Sequence, residues 1–192
     1  MAARHDQEIA CQQVLLDDAS VFSVQWSVFP EALAPSLTAE RLLERYLAYI
    51  RGCTAGCIRP HVTPDGIEFR LLSSRLSLIT FLPPAMEPEA TVLRICGGLL
   101  VQQRECGRGE LRFGAVREPG GVRVSLQLSD FCPLILGGRS PSRLRRWLYR
   151  GTQAFIHRLV TVRFLAMLYR ELCGASARVR VVPARVRDGR PT

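Results

Sequence analysis

Alternating hydrophobic and polar residues predict a β-strand near the start of the chain. Between residues 21 and 29, one side of the alternation is apolar and comprises Phe22, Val24, Trp26 and Val28. The other side is polar and comprises Ser23, Gln25 and Ser27. A period of two residues is typical of a strand with one buried face. We therefore expect the apolar side of this strand to face the core.

After Pro35 the pattern changes to the period of a helix. Ser36 or Thr38 can act as the N-cap, and Gly52 offers a stop after Arg51. Apolar residues recur at helical spacing at Leu42, Leu43, Tyr46, Leu47 and Ile50. This segment is predicted to be a short amphipathic helix.

Residues 57–128 consist of about six short runs rich in branched and aromatic residues. Turn sequences such as Pro64-Asp65-Gly66 and Pro119-Gly120-Gly121 separate them. Because the connections have hairpin length, the pattern favours an antiparallel sheet. The residues expected to face its core are Ile67, Phe69, Leu71, Leu111, Phe113 and Ala115. Gly97-Gly98, inside one run, predicts a bulge or bend in the sheet.

A long helix is predicted between Pro141 and Leu172. Ser140 precedes the proline as a cap residue, and Gly174 supplies the stop. The length is about 48 Å at 1.5 Å per residue. Its apolar stripe comprises Leu144, Leu148, Phe155, Leu159, Val162 and Leu165, with Trp147, Ile156 and Leu168 at the edges. Such a stripe indicates a helix that lies on an apolar surface.

The fold class predicted from these elements is α+β, with a curved antiparallel sheet of about six to seven strands packed on one long C-terminal helix. A chain of 192 residues is long enough for one such domain. We place the domain at residues 20–174, after an N-terminal extension at 1–19 and before a basic tail at 175–192. Residues 179–182 of the tail are either an edge strand or loose.

The positive charge of the chain is concentrated after residue 138. All 26 basic side chains are arginines. Residues 139–192 hold 13 arginines against 2 acidic residues, whereas residues 1–138 hold 13 against 15. A basic region of this kind can attract nucleic acid, anionic lipid or an acidic partner, and charge alone does not choose among them. The ordinary interpretation is a solvated helix face followed by a basic tail.

Seven cysteines at irregular spacing argue against a disulfide framework, and the acidic N-terminal segment lacks an apolar core of the secretory kind. We therefore expect reduced thiols and a cytoplasmic location. The longest apolar stretch is broken by Pro83 and Pro84, so no transmembrane segment is predicted.

The order strand, helix, about six antiparallel strands and one long C-terminal helix resembles the helix-grip fold of the START, birch-pollen-allergen and polyketide-cyclase superfamily. The resemblance covers residues 20–173 and is one of element order. It implies a sheet wrapped around the long helix, with a cavity that binds a lipid, polyketide or other apolar small molecule. The chain departs from the family in residues 52–56, where a second helix is expected, and in its basic tail.

Three sets of residues are candidates for chemistry. Cys53, Cys57 and His61 recur every four residues and resemble a zinc-ligand set, but no fourth ligand lies nearby and free thiols are the simpler interpretation. His157 with a cysteine would suit acyl transfer, although no local motif supports it. Asp130, after the last predicted strand, suits an acid or base at a pocket mouth, or a turn cap. We predict no metal and no cofactor.

The leading hypothesis is a module that binds an apolar small molecule between the sheet and residues 141–172. The residues proposed to line its pocket are Trp26, Phe69, Arg94, Trp147, Gly151 and Phe155. Gly151 is unusual inside a helix, which indicates either a pocket wall or tight packing. The alternatives are an interaction protein that docks its basic face on nucleic acid or anionic membrane, and a cyclase- or aromatase-like enzyme. Homodimerisation through a sheet edge is left open.

Overall fold

The computed structural model describes residues 6–102, 109–137, 142–174, 178–184, 186–187 and 190–191. The strands are β1 (Asp6–Leu15), β2 (Val21–Phe29), β3 (Ile58–Thr63), β4 (Gly66–Leu71), β5 (Ser77–Phe81), β6 (Ala85–Glu87), β7 (Ala90–Gly97), β8 (Glu110–Glu118), β9 (Gly121–Phe131), β10 (Arg178–Pro183), β11 (Val186–Arg187) and β12 (Arg190–Pro191). The α-helices are α1 (Ala39–Cys53), α2 (Arg143–Tyr149) and α3 (Phe155–Cys173). The π-helical segment Arg150–Ala154 joins α2 to α3.

A large curved mixed sheet and one long C-terminal helix form the α+β fold. The order of strands is β10-β1-β2-β9-β8-β7-β5-β4-β3, and β6 pairs with β7. The predicted number of six to seven strands is wrong, because this sheet has ten. Among the strand pairs that the structure describes, only β1–β10 is parallel, and its register aligns Asp6 with Arg178.

Two of the additional strands come from segments placed outside the 20–174 domain. Strand β1 buries Gln7, Ile9 and Cys11. Because the buried side of this strand includes a polar glutamine, its sequence lacks the clear alternation that predicts a strand. Strand β10 occupies the segment at 179–182 that the sequence left undecided, and it forms the edge strand. The sheet therefore uses chain from both sides of the predicted domain.

Strand β2 is present as predicted, but its polar side is the one that faces α3. Ser23, Gln25 and Ser27 are buried on that side. On the opposite, apolar side Val24 is buried, Phe22 and Trp26 are half-buried and Val28 is exposed. Hydrogen bonds make this polar burial tolerable. Gln7 Nε2 donates to Ser27 Oγ and to the Leu165 carbonyl, each at 3.2 Å.

The other strands place their residues largely as the alternation predicts. Ile67, Phe69, Leu111 and Phe113 are buried, which confirms the inner faces of β4 and β8. Leu71 is 36% exposed at the end of β4 and does not join the core. The glycine bend is confirmed at Gly98, which has φ +119° and lies so close to Leu78 that a Cβ would be 2.5 Å from its carbonyl oxygen.

Helix α1 begins after Thr38, whose side chain accepts a hydrogen bond from the Arg41 N–H. It buries Leu42, Leu43, Tyr46 and Ile50, as the sequence predicts.

The long C-terminal helix runs from Arg143 to Cys173, and Gly174 ends it in a left-handed conformation. The predicted start at Pro141 lies outside the described residues. The buried residues of α3 are Thr161, Phe164, Leu165, Ala166, Leu168 and Tyr169. The predicted stripe is wrong for the first half of the helix, where Leu144, Trp147, Phe155 and Ile156 are exposed. Among the described helices, none has the length and hydropathy to cross a membrane.

Candidate functional site

An apolar cavity of about 280 Å³ lies under the first half of the long helix. Its floor is the inner face of the sheet, including Phe69, Phe81, Ile95 and Leu111. Helix α1 supplies one wall through Tyr46 and Ile50. The residues at the opposite side come from the long helix and are Tyr149, Gln153, Ile156, His157 and Val160. The cavity therefore forms where the helix leaves the sheet.

Aromatic contacts fix the floor and the wall. The rings of Phe69 and Phe81 lie 5.3 Å apart at an interplanar angle of 68°. Tyr46 contacts Phe113 and Phe164, with both centroid distances at 5.2 Å. Burial, with smaller contributions from Cys53 and Tyr49, raises the pKa of Tyr46. The wall is thus rigid and uncharged at neutral pH.

The helical spacing of residues 149, 153, 156, 157 and 160 brings one face of the helix over the cavity. We call these five residues the roof. Burial raises the pKa of the Tyr149 hydroxyl to about 12. Gln13 lies beside that hydroxyl and slightly opposes this rise. The roof therefore carries polar groups above an otherwise apolar space.

Two polar atoms of the cavity are buried and lack hydrogen-bond partners among the described residues. They are Oε1 of Gln153, an acceptor, and Nε2 of Gln13, a donor that makes no hydrogen bond of normal geometry. The Gln13 side chain nevertheless acts on the Tyr149 hydroxyl as a hydrogen-bonding neighbour, because it lowers the pKa of that group. Gln153 Oε1 is therefore the atom that most needs a ligand. An unpartnered buried polar group costs about 1–3 kcal/mol. A ligand that satisfies Gln153 Oε1 would recover this cost.

His157 is half-buried in the roof. Desolvation by its apolar surroundings lowers the pKa of the imidazole to about 4. The side chain is therefore neutral at physiological pH. No Asp, Glu or Arg belongs to the described lining, so the cavity is uncharged under those conditions.

The structure brings one of the six predicted lining residues, Phe69, to the cavity. Trp26 lies on the outer face of the sheet, with Arg123 5.8 Å from its ring centroid. Arg94 is exposed on the same face and forms an ion pair with Glu110 at 3.3 Å. Trp26 and Arg94 lie away from the cavity because the alternation pattern did not determine which face of their strands is the inner one.

The other three predicted lining residues, Trp147, Gly151 and Phe155, lie on the exposed side of the long helix. A Cβ added at Gly151 would have open space around it, so this glycine makes no close approach. A ligand-binding role for these residues, and for Trp26 and Arg94, stays a prediction.

Sequence reasoning missed Gln13, Tyr46, Tyr149 and Gln153 as lining residues. The spacing of Tyr149, Gln153 and His157 by four is a usable signal, but none of the three belongs to the predicted apolar stripe. Gln13 gave no signal, because a glutamine on a strand is ordinarily solvated.

The residues of the zinc-like pattern lie at the end of α1, in the following loop and in β3. Cys53, Cys57 and His61 are all exposed. Within the described ranges, no three His, Cys, Asp or Glu side chains form a group that could hold a metal ion. Asp130 lies at the irregular end of β9 with a left-handed backbone, φ 51°, next to the cavity residue Phe131.

The cysteines are not all reduced. The described free thiols are Cys11, Cys53, Cys57, Cys96 and Cys173. Cys132 is disulfide-bonded, so the prediction of reduced thiols is wrong at that position. Irregular spacing of the cysteines argues against a framework of several disulfides, but it does not argue against a single disulfide. The predicted cytoplasmic location loses part of its basis.

No protein-family model and no curated protein sequence matches the chain. Two solved structures of CalU16 from Micromonospora echinospora are similar to it. The crystal structure aligns with 85% of this chain and 84% of CalU16, at 12% identity and a TM-score of 0.41. The solution NMR structure aligns with 68% and 64%, at 14% identity and a TM-score of 0.35. The function of the cavity is therefore derived from the residues of this chain.

Proposed function

We propose that the protein binds a small, uncharged and mainly apolar molecule in the cavity under the long helix. The observation that carries this proposal is the pairing of an apolar cavity with a buried, unpartnered acceptor, Gln153 Oε1. A ligand hydroxyl can donate a hydrogen bond to this atom. Binding sites commonly combine an apolar lining with a few such polar groups.

The volume limits the size of the ligand. A cavity of about 150 Å³ holds benzene. The cavity here is nearly twice as large, at about 280 Å³. It therefore suits a molecule of roughly ten to fifteen non-hydrogen atoms, such as a two-ring alcohol or a chain of similar size.

The absence of described charged lining residues favours a neutral ligand over a carboxylate. Burying an unpaired carboxylate is costly, and a neutral His157 supplies no positive charge. The same low pKa disfavours a cyclase-like enzyme that uses His157 as a general base at pH 7, because a base with a pKa near 4 accepts protons weakly. Binding is therefore preferred to catalysis as the function of this site.

The proposal can be tested with 2-naphthol, naphthalene and 2-naphthoate, three probes that share one ring system. We expect 2-naphthol to bind about tenfold more tightly than naphthalene, because its hydroxyl can donate a hydrogen bond to Gln153 Oε1. The charged 2-naphthoate should bind most weakly. Isothermal titration calorimetry measures all three affinities.

Two variants locate the binding site. Val160→Phe fills part of the cavity and should weaken the binding of naphthalene and 2-naphthol alike. Val162→Phe adds the same side chain to the same helix outside the cavity and should leave the binding of both probes unchanged. Gln153→Leu should abolish the preference for 2-naphthol while retaining naphthalene. Equal affinity of the wild type for these two probes, or full binding by Val160→Phe, would contradict the proposal.

A further inference from the structure

The first half of the long helix exposes a group of large apolar side chains. Leu144, Trp147, Phe155 and Ile156 have exposed fractions between 57% and 70%. Single exposed apolar residues are common on protein surfaces, but a contiguous group marks an interaction site. We call these four residues the outer patch. Ile156 also borders the cavity, whereas Leu144, Trp147 and Phe155 do not. The helix therefore has an apolar surface that extends well beyond the cavity.

The roof explains why Leu144, Trp147 and Phe155 of the outer patch face outward. Tyr149, Gln153 and His157 turn one side of the helix toward the cavity, so the remaining side is left to the solvent. Gly151 lies on the outward side, where a Cβ would meet no atom within 4 Å. No described residue is placed to cover this part of the helix.

The charge around the outer patch has one sign. Residues 139–170 contain eight arginines and no aspartate or glutamate. On the helix, Arg143 precedes Trp147 by four residues and Arg158 follows Phe155 by three, which makes them surface neighbours. Among the described residues, neither Arg143 nor Arg158 forms an ion pair. Unneutralised guanidinium groups therefore flank the apolar side chains.

We propose that this helix face docks on an anionic lipid bilayer. An interfacial helix inserts apolar and aromatic side chains into the boundary between headgroups and acyl chains, while its arginines bind lipid phosphates. Trp147 suits this boundary, because its ring is apolar and its N–H can bond to the polar layer. The docking does not require that the cavity bind a ligand.

Other occupants fit the surface less well. A second copy of this chain, joined through the same face, would bring its arginines against like charges around a twofold axis. Nucleic acid would accept the arginines, but it offers no apolar partner for Leu144 and Ile156, and only aromatic side chains stack on bases. An anionic bilayer satisfies both the charge and the apolar area.

Docking can be measured by sedimentation with phosphatidylcholine vesicles that contain one quarter phosphatidylglycerol. The full-length protein should bind at low salt, bind more weakly at high salt, and bind poorly to phosphatidylcholine alone. Arg143→Gln with Arg158→Gln should weaken binding roughly thirtyfold. The matched pair Arg178→Gln with Arg180→Gln, which removes the same charge from β10, should have little effect.

The apolar part of the surface needs its own variants. Trp147→Ser with Phe155→Ser should weaken vesicle binding about tenfold or more. Val62→Ser with Met86→Ser removes apolar side chains that are similarly exposed, at 63% and 59%, on β3 and β6, and should not. Because all four positions are on the surface, folding should survive in both variants.

Tryptophan fluorescence reports the docked face directly. The chain has two tryptophans, so Trp26→Phe leaves Trp147 as the single tryptophan, whose emission can be excited selectively. Its emission should shift to the blue on vesicle binding and should be quenched by lipids with brominated acyl chains.

Four results would overturn the proposal. These are no vesicle binding at low salt, equal binding by all the variants, a dimer that Trp147→Ser with Phe155→Ser dissolves, or tighter binding to duplex DNA through Arg143 and Arg158. The third result would assign the surface to a second copy, and the fourth to nucleic acid.

Discussion

At the scale of single residues, glutamine accounts for most of the unpartnered buried polar atoms. Besides the two at the cavity, Oε1 of Gln7, Gln12 and Gln25 is buried without a partner among the described residues. Natural proteins keep few such atoms, because each costs about 1–3 kcal/mol. Those of Gln13 and Gln153 differ from the other three, since they border an open space that a ligand can enter.

His157 predicts how stability depends on pH. Its folded pKa of about 4 lies below its ordinary value of 6.5, so the folded state favours the neutral imidazole. The stability from this residue is complete above pH 6.5 and is lost as the pH falls toward 4. Between pH 7 and pH 4.5 the loss is about 2 kcal/mol. Urea unfolding at both pH values measures it.

The control for this prediction is the other described histidine, His61, which is exposed. His157→Gln should remove the 2 kcal/mol component from the pH dependence, whereas His61→Gln should leave it unchanged. An identical pH dependence in the wild type and in His157→Gln would show that the imidazole is not desolvated.

At the scale of secondary structure, the sequence predicts the existence of elements better than their faces. The alternation in β2 identified the strand, but both of its sides carry residues that can be buried when hydrogen bonds are available. Trp26 packs on the outside under Arg123, while Gln25 donates to Ser23 inside. The hydrogen-bond partners that determine which face of β2 is buried lie on β1 and α3, and α3 is far from β2 in the sequence.

The faces of the long helix differ from the prediction for a related reason. The predicted apolar stripe runs over the whole helix, whereas the π-helical segment Arg150–Ala154 shifts the register between the two halves. The cavity residues Gln153 and His157 therefore lie outside the predicted stripe. Membership of the helix-grip superfamily, which rests on element order, stays a prediction.

The buried contact between β1 and α3 provides a second prediction. Gln7 Nε2 bridges Ser27 and the Leu165 carbonyl, so Gln7→Ala leaves these groups short of a donor and should lower the free energy of unfolding by about 2 kcal/mol. Gln12→Ala changes the same strand on its opposite face, where the buried oxygen has no partner to lose. Chemical denaturation of both variants gives the comparison, and equal losses would refute the role of Gln7.

At the scale of the whole molecule, the edge strand β10 determines how the sheet is completed. It pairs with β1 over six residues, from Asp6 with Arg178 to Cys11 with Pro183. The Ala184 N–H then donates to the Cys11 carbonyl at 2.9 Å. The basic segment that follows the long helix is thus part of the sheet rather than only a charged tail.

Truncation tests this role. Removing residues 175–192 should lower the free energy of unfolding by roughly 2–4 kcal/mol, because β1 loses its hydrogen bonds to β10 and becomes an exposed edge strand. Removing only residues 185–192 keeps β10 and should cost much less. Urea denaturation measures both, and equal stability of the two truncated proteins would contradict the role of β10.

The pairing of β1 with β10 also has a consequence during synthesis on the ribosome. Strand β1 is made just before its neighbour β2, whereas its other neighbour β10 is made only after the long helix. The edge of β1 that pairs with β10 therefore stays unpaired until the long helix has been made, and contacts between segments so distant form slowly. A chaperone that shields an extended segment would have its longest opportunity at β1.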